Sequence, residues 1–167
     1  MDKYSLSILD IPIDDLYISS QLEFIMRAGS LLKVQDSKVP IRIADGDAER
    51  LDYPDDTFDT VVSTLVFCSI PDPLQALREI KRVCKPGGRL LLFEHVRLEE
   101  GLIAKAQDVL NPAWIKISGG CNLNRDTVGL LQEEGIEITA IKRYSKGIFL
   151  SIRAENKKKQ NAAPTTG

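Results

Sequence analysis

Apolar positions recur along the chain in two rhythms. In VPIRIADGDAERLDYPDDTFDTVVSTLV, two short β-branched runs, Ile41 to Ala44 and Phe58 to Thr64, flank an acidic, turn-rich loop carrying Asp52, Asp55 and Asp56, which predicts two strands. After Pro71 the period changes. Leu74, Leu77, Ile80, Val83 and Cys84 fall at helical spacing, with Glu79, Lys81 and Arg82 on the other side. Asp72 is a natural N-cap, Pro73 suits the first helical position, and Pro86-Gly87-Gly88 stops the helix. Arg89 to Val96 is a nearly unbroken apolar run, as expected of a strand covered on both faces of a parallel sheet. Strand, helix, strand in that order implies a right-handed crossover. Further helices are predicted over Leu102 to Leu110, ending before Pro112, and over Arg125 to Glu134, capped by Asn124 and closed by Gly135. Ile136 to Tyr144 and Ile148 to Ala154, split by Ser145-Lys146-Gly147, read as an antiparallel hairpin. At the front, Tyr4 to Leu9 suits a strand, and Ile18 to Leu32, with Leu22, Ile25 and Met26 at helical spacing, suits a helix. The pattern is α/β: a mostly parallel sheet with an antiparallel hairpin at its C-terminal edge.

Composition narrows the function classes. The 167 residues are 43% hydrophobic, enough for one domain with a proper core, expected over residues 1–154. Twenty-two Lys and Arg against 24 Asp and Glu give a net charge of −2, which supplies no basic field for nucleic acid. Cys68, Cys84 and Cys121 form no CxxC pair and are odd in number, so neither a disulfide framework nor a metal site is indicated, and a reduced, cytoplasmic setting fits. No basic leader precedes a long apolar run, and no stretch approaches 18 apolar residues, so neither signal peptide nor membrane span is expected. Residues 155–167, with NKKKQNAAPTTG, have little to bury and read as a disordered tail, the lysine run being a solvating one.

The run GDAERLDYPDDTFDTVVSTLVFCSIPDPLQALREIKRVCKPGGRLLLFEH resembles the second half of class I S-adenosylmethionine-dependent methyltransferases, in the branch acting on small molecules. The likeness is close over residues 41–96 and looser over 97–154. The continuation, with its strand-end Glu-His, Pro-x-Trp and Gly-Cys-x-Leu-x-Arg, is similar to a subgroup acting on thiols or other small nucleophiles. The resemblance implies a Rossmann-like sheet, S-adenosylmethionine as cofactor, and methyl transfer to a small-molecule nucleophile.

In open α/β sheets ligands bind beyond the carboxyl ends of parallel strands, here Asp45 to Glu49, Thr64 to Cys68 and Glu94 to Val96. By the resemblance, Asp47 and the Ala48 amide would hold the adenine, and Thr64 and Leu65 would line the cofactor. Each has a plainer reading beside it: Asp47 as a turn residue bonding its own backbone, Leu65 as core. His95, the single histidine, is the candidate base for an acceptor thiol or hydroxyl, placed with Glu94 toward the pocket, or else a structural group. Trp114 reads as packing or as a substrate wall, and Cys68 and Cys121 as small buried hydrophobes.

One family feature is missing. Members open with a strand ending in a glycine-rich turn, whereas the first glycine here is Gly29. Ser7 to Ile11 has the look of that strand, but Pro12 stands where the turn should open, and Tyr17, two residues after Asp15, stands where the ribose-binding acid is expected. A non-catalytic, methyltransferase-like binding module is therefore the alternative function. Loss of the central strand would also leave the Ile41 to Ala44 and Phe58 to Thr64 region with an unpaired edge, to be filled by Tyr4 to Leu9 or by a second copy in a homodimer.

Overall fold

The computed structural model describes residues 6–11, 15–20, 42–118 and 120–158. Its strands are β1 (Leu6–Ile11), β2 (Asp15–Ser20), β3 (Arg42–Gly46), β4 (Phe58–Thr64), β5 (Cys84–His95), β6 (Glu137–Tyr144) and β7 (Phe149–Glu155). Its helices are α1 (Pro73–Val83), α2 (Leu102–Ile117) and α3 (Thr127–Glu133). The strands form one sheet in the order β3-β1-β2-β4-β5-β7-β6. β4 is parallel to both β2 and β5, β1 is antiparallel to β2 and β3, and β7 is antiparallel to β5 and β6. Hence β2, β3, β4, β5 and β6 share one direction and only β1 and β7 oppose it: a Rossmann-like sheet, parallel through its β2-β4-β5 centre, antiparallel at both flanks and closed by the expected hairpin.

The best-specified element is α1. The Asp72 carboxylate accepts the Gln75 N–H at 3.0 Å, Pro73 opens the helix, and Ala76, Leu77, Ile80 and Val83 are buried against the sheet. Phe58 and Val61 of β4, Leu90 and Leu92 of β5, Leu150, Ile152 and Ala154 of β7, and Leu131 and Ile136 complete this core. Each such aliphatic side chain contributes roughly 1.5–3 kcal/mol by leaving water. The chain passes from α1 into β5 with no loop, so β5 begins at Cys84 rather than at Arg89. Gly88 permits this: a Cβ there would lie 2.6 Å from Cys84 Sγ and 2.9 Å from the Lys85 carbonyl oxygen.

Several expectations need correction. Among the described residues β5 is fully buried on one face only. Leu90, Leu92 and Glu94 point into the core, while Phe93 on the opposite face is 36% exposed and stacks on Phe149 with ring centroids 5.8 Å apart. α2 does not end before Pro112 but continues to Ile117. Buried Gln107 and Asn111 fix the helix ahead of the proline, by bonds to Val96, Leu98 and Leu123, against an interior-proline cost of about 3 kcal/mol. The cap of α3 is Asp126, accepting the Gly129 N–H at 2.9 Å; Asn124 instead donates to Asp108. Residues 18–20 belong to β2 rather than to a helix, and the rest of the helix expected over 18–32 lies outside the described residues. Ser7 to Ile11 does not take the central position: β2 pairs with β4, so the edge of Phe58–Thr64 is filled from within the chain, by Asp15–Ser20. Asp15 and Tyr17 are strand residues there. The fold also does not release the chain at 155. Glu155 closes β7, Asn156 is fully buried with its amide donating to Lys81 O and Cys84 O, and Lys158 pairs with Asp56. Beyond 158 the tail lies outside the described residues.

Candidate functional site

Because β2, β3, β4 and β5 share a direction, their carboxyl ends meet on one edge of the sheet, and the sequence-predicted residues follow them there. Asp47 and Ala48 leave β3, Thr64 ends β4 and Leu65 follows it, and His95 ends β5. Cross-strand register aligns Gly46 with Leu6, Leu6 with Ser20, Ser19 with Thr64, and Thr64 with Phe93. From β3 to β4 is three strand spacings, roughly 14 Å, the reach of an extended nucleoside ligand lying along the edge.

At one end, Asp47 Oδ1 accepts the Glu49 N–H at 3.0 Å and Asp47 O accepts the Arg50 N–H at 3.0 Å. This is the turn reading of Asp47, and it uses only one carboxylate oxygen. Asp47 Oδ2 and the Ala48 N–H have no hydrogen-bond partner among the described residues. An acceptor and a backbone donor on consecutive residues match the amine and ring nitrogen of an adenine. The loop is held from behind by α1. Glu49 Oε1 accepts the Asp72 N–H at 3.0 Å, Glu79 Oε2 accepts the Leu51 N–H at 2.8 Å, and Arg82 donates to Leu51 O at 2.8 Å and Tyr53 O at 2.7 Å. Hydrogen bonding to Arg82 holds the Glu79 carboxyl below its ordinary range, and the same bond raises the guanidinium. These supports were not foreseen, since Glu79 and Arg82 read only as the polar face of a helix.

At the other end, Leu65 has φ +55°, the left-handed region that an L side chain occupies at a cost of roughly 1–2 kcal/mol. It is 38% exposed, so it is not core. Its N–H donates to Phe93 O at 2.8 Å, and the turn beyond it is fixed by Glu94. That carboxylate, fully buried, accepts the Ser63 hydroxyl at 2.8 Å and the Val66 and Phe67 N–H groups at 3.2 Å each. Burial outweighs these bonds and pushes the Glu94 carboxyl up to about 7. Glu94 therefore does not face the pocket beside His95: strand alternation sends it into the core, where it shapes the Leu65 turn. His95 lies on the opposite face, half-buried, with its ring edge-on to Phe149 at 5.5 Å. Burial lowers its pKa and favours neutral imidazole. His95 Nδ1 is enclosed and unpartnered among the described residues.

A third segment closes on the Leu65 turn. The Asn122 N–H and Nδ2 donate to Cys68 O at 2.7 and 2.9 Å, and Arg125 donates to Ile70 O at 2.9 Å. Trp114, 42% exposed, is not buried packing; its indole donates to the half-buried Cys121. Among the described residues no group of acids, cysteines and histidine has a metal-binding arrangement, and no helix is long and apolar enough to cross a membrane.

Comparison with known proteins agrees with this geometry. Residues 18–92 match the family model for a methyltransferase domain. The chain is 47% identical over 74 residues to a thiol S-methyltransferase, TMT1B, of Rattus norvegicus, covering 44% of this chain and 30% of that protein. It is 37% identical over 79 residues to the ubiquinone/menaquinone biosynthesis C-methyltransferase UbiE of Hahella chejuensis, covering 47% of this chain and 32% of that protein. The matches thus span about a third of each relative's length. Among solved structures, the [4+2]-cyclase SpnF shares the fold with a TM-score of 0.61 at 19% identity, over 84% of this chain and 64% of that one. Motif run, strand order and these matches together make the chain similar, over residues 18–92, to the class I S-adenosylmethionine-dependent methyltransferases, a family whose cofactor is S-adenosylmethionine.

Proposed function

We propose that the protein acts in methyl transfer from S-adenosylmethionine to a small-molecule nucleophile, a thiol being the class suggested by the TMT1B likeness. The observation that carries this reading is the acceptor and donor pair, Asp47 Oδ2 and Ala48 N–H, unpartnered among the described residues and on the same sheet edge as the left-handed Leu65. When bound, the cofactor supplies a sulfonium methyl open to in-line displacement. The chain's own residues would do the rest. Asp47 and Ala48 would hold the adenine, while Thr64 and Leu65 would line the methionine end. His95, kept neutral by burial, would take the acceptor proton at Nε2, the ring nitrogen opposite the enclosed Nδ1. Alignment and exclusion of water carry most of the acceleration in such a reaction. The acceptor, not nucleic acid, would be the partner.

Isothermal titration with S-adenosylmethionine tests the reading. Measurable heat, reduced about tenfold in affinity by Asp47→Ala, is expected; each tenfold step corresponds to about 1.4 kcal/mol, within the range of one hydrogen bond to a charged group. No heat at millimolar cofactor would overturn it in favour of a binding module that has kept the fold without the cofactor.

A further inference from the structure

Cys68 and Cys121 are 53 positions apart, and no sequence motif joins them, yet the fold sets their thiols against each other. Backbone geometry enforces the meeting. Two bonds from Asn122 to Cys68 O seat the residue following Cys121 directly on Cys68, and the Ser118 hydroxyl donates to Cys121 O at 3.3 Å. The two cysteines differ in surroundings. Cys68 is 5% exposed in the tight turn after Leu65, where its Sγ also lies 3.7 Å from Leu65 O. Cys121 is half-buried, and its sulfur lies beside the Cys68 thiol and the Trp114 indole with the Arg125 guanidinium nearby. The Arg125 Nε is buried and unpartnered among the described residues, so its charge is not spent on a carboxylate there.

These contacts divide the labour between the sulfurs. Hydrogen bonding from Cys68 is the main cause that lowers the Cys121 thiol to about 6, and the same bond, with burial and the nearby Glu94, raises Cys68. These shifts favour the thiolate, the nucleophilic form, at the more exposed Cys121 and the proton at the buried Cys68. The third cysteine, Cys84, is fully buried and raised to about 11 by burial.

We propose that Cys68 and Cys121 form a redox-active dithiol, a modification site at which a hydroperoxide oxidises Cys121 and Cys68 resolves the product as an intramolecular disulfide. In the first step the Cys121 sulfur attacks the peroxide. An S–O bond forms, the O–O bond breaks, and the leaving oxygen takes a proton from solvent and departs as alcohol or water. Cys121 is then a sulfenic acid, oxidised by two electrons. In the second step the Cys68 sulfur attacks the Cys121 sulfur; the S–S bond forms, the S–O bond breaks, and hydroxide leaves with the Cys68 proton as water. In sum two thiols and one hydroperoxide give one disulfide, one alcohol or water, and one water. The bridge would join the segment before Arg125 to the turn that begins at Leu65, so thiol oxidation would act on the same sheet edge proposed for the cofactor. The chemistry itself needs no cofactor and stands or falls separately.

The test uses the reduced full chain, a small excess of hydrogen peroxide, and a tryptic map, since Lys and Arg positions place the three cysteines on separate peptides. The expected product is two hydrogens lighter, links the Cys68 peptide to the Cys121 peptide, leaves Cys84 as a free thiol, and reverts with dithiothreitol. Trp114, the single tryptophan, should lose fluorescence in step with bridge formation. Before oxidation, iodoacetamide at pH 7 should alkylate Cys121 on the order of 50-fold faster than Cys84, the thiolate advantage being partly offset by lower intrinsic nucleophilicity. In Cys68→Ser, Cys121 should stop at a sulfenic acid that dimedone traps. Conversion of Cys121 to sulfinic acid while Cys68 stays free, a bridge involving Cys84 or a second chain, or an unreactive Cys121 would each overturn the proposal. The wild-type map decides even if the variant does not fold.

Discussion

Glu94→Gln probes whether the turn bearing Leu65 is held by a buried carboxyl. In the folded protein burial raises this group from 4.5 to about 7, despite hydrogen bonds from Ser63, Val66 and Phe67. Between those values the native state binds a proton that the unfolded chain releases. Its contribution is therefore fully present below about pH 4.5 and is lost as pH rises through 7. Integrating that linkage from pH 5 to pH 8 gives a loss of about 2–3 kcal/mol. A glutamine cannot titrate. It also turns an amide toward backbone donors, which adds a pH-independent cost of about 1–3 kcal/mol for an unmet buried group. Urea unfolding of both proteins at pH 5, 6, 7 and 8 measures the difference, and subtracting the two curves cancels most of what other titrating groups contribute. The wild type should lose about 2–3 kcal/mol relative to the variant across that range. Parallel curves would refute the reasoning and would mean that Glu94 titrates alike folded and unfolded.

Arg82→Ala removes the donors to Leu51 O and Tyr53 O, and should cost about 2 kcal/mol in chemical unfolding while weakening cofactor binding at Asp47, which Arg82 does not touch. At Leu65 the left-handed backbone predicts an ordering: Leu65→Gly should stay within about 1 kcal/mol of wild type, and Leu65→Val should fall below it by about 1–2 kcal/mol, both read as urea midpoints. Asn156→Ala should lower stability by about 2–3 kcal/mol because Lys81 O and Cys84 O lose a buried donor; a change under 0.5 kcal/mol would show that the chain leaves the fold before 156. Pro112→Ala should raise the melting temperature, since it restores an N–H inside α2 and removes a ring from its interior.

Elements whose signals are local were legible from sequence. α1 begins where its cap and its proline say, although it ends at Val83 and Cys84 to Gly88 join β5 instead of stopping a helix, and β4 matches its β-branched run residue for residue. Where tertiary bonds decide, the local signal misleads. Pro112 reads as a stop, but Gln107 and Asn111 are side chains whose partners lie 9 to 16 residues away, and they keep the helix docked through it. Asn156 reads as the start of a polar tail, but its carboxamide satisfies carbonyls more than 70 residues back in the chain. The central slot beside β4 is of the same kind. Ser7 to Ile11 matches the composition of the strand expected there, yet pairing selects Asp15–Ser20 for the parallel register and leaves β1 antiparallel beside it.

The candidate site divides along the same line. Residues at strand ends were readable because strand direction alone brings them to one edge, and Asp47, Ala48, Thr64, Leu65 and His95 all lie there. What shapes that edge was not readable. Glu94 and His95 are neighbours in sequence and look like one acid and base pair, but a strand turns consecutive side chains to opposite faces. The glutamate consequently fixes a strained turn from behind while the histidine is the one left beside the aromatic face of Phe149. Charge then follows position. A carboxyl inside the core is driven up by lost hydration, so a change at Glu94 should move stability with pH, whereas a change at His95 should move the rate of proton transfer and leave the Leu65 turn intact.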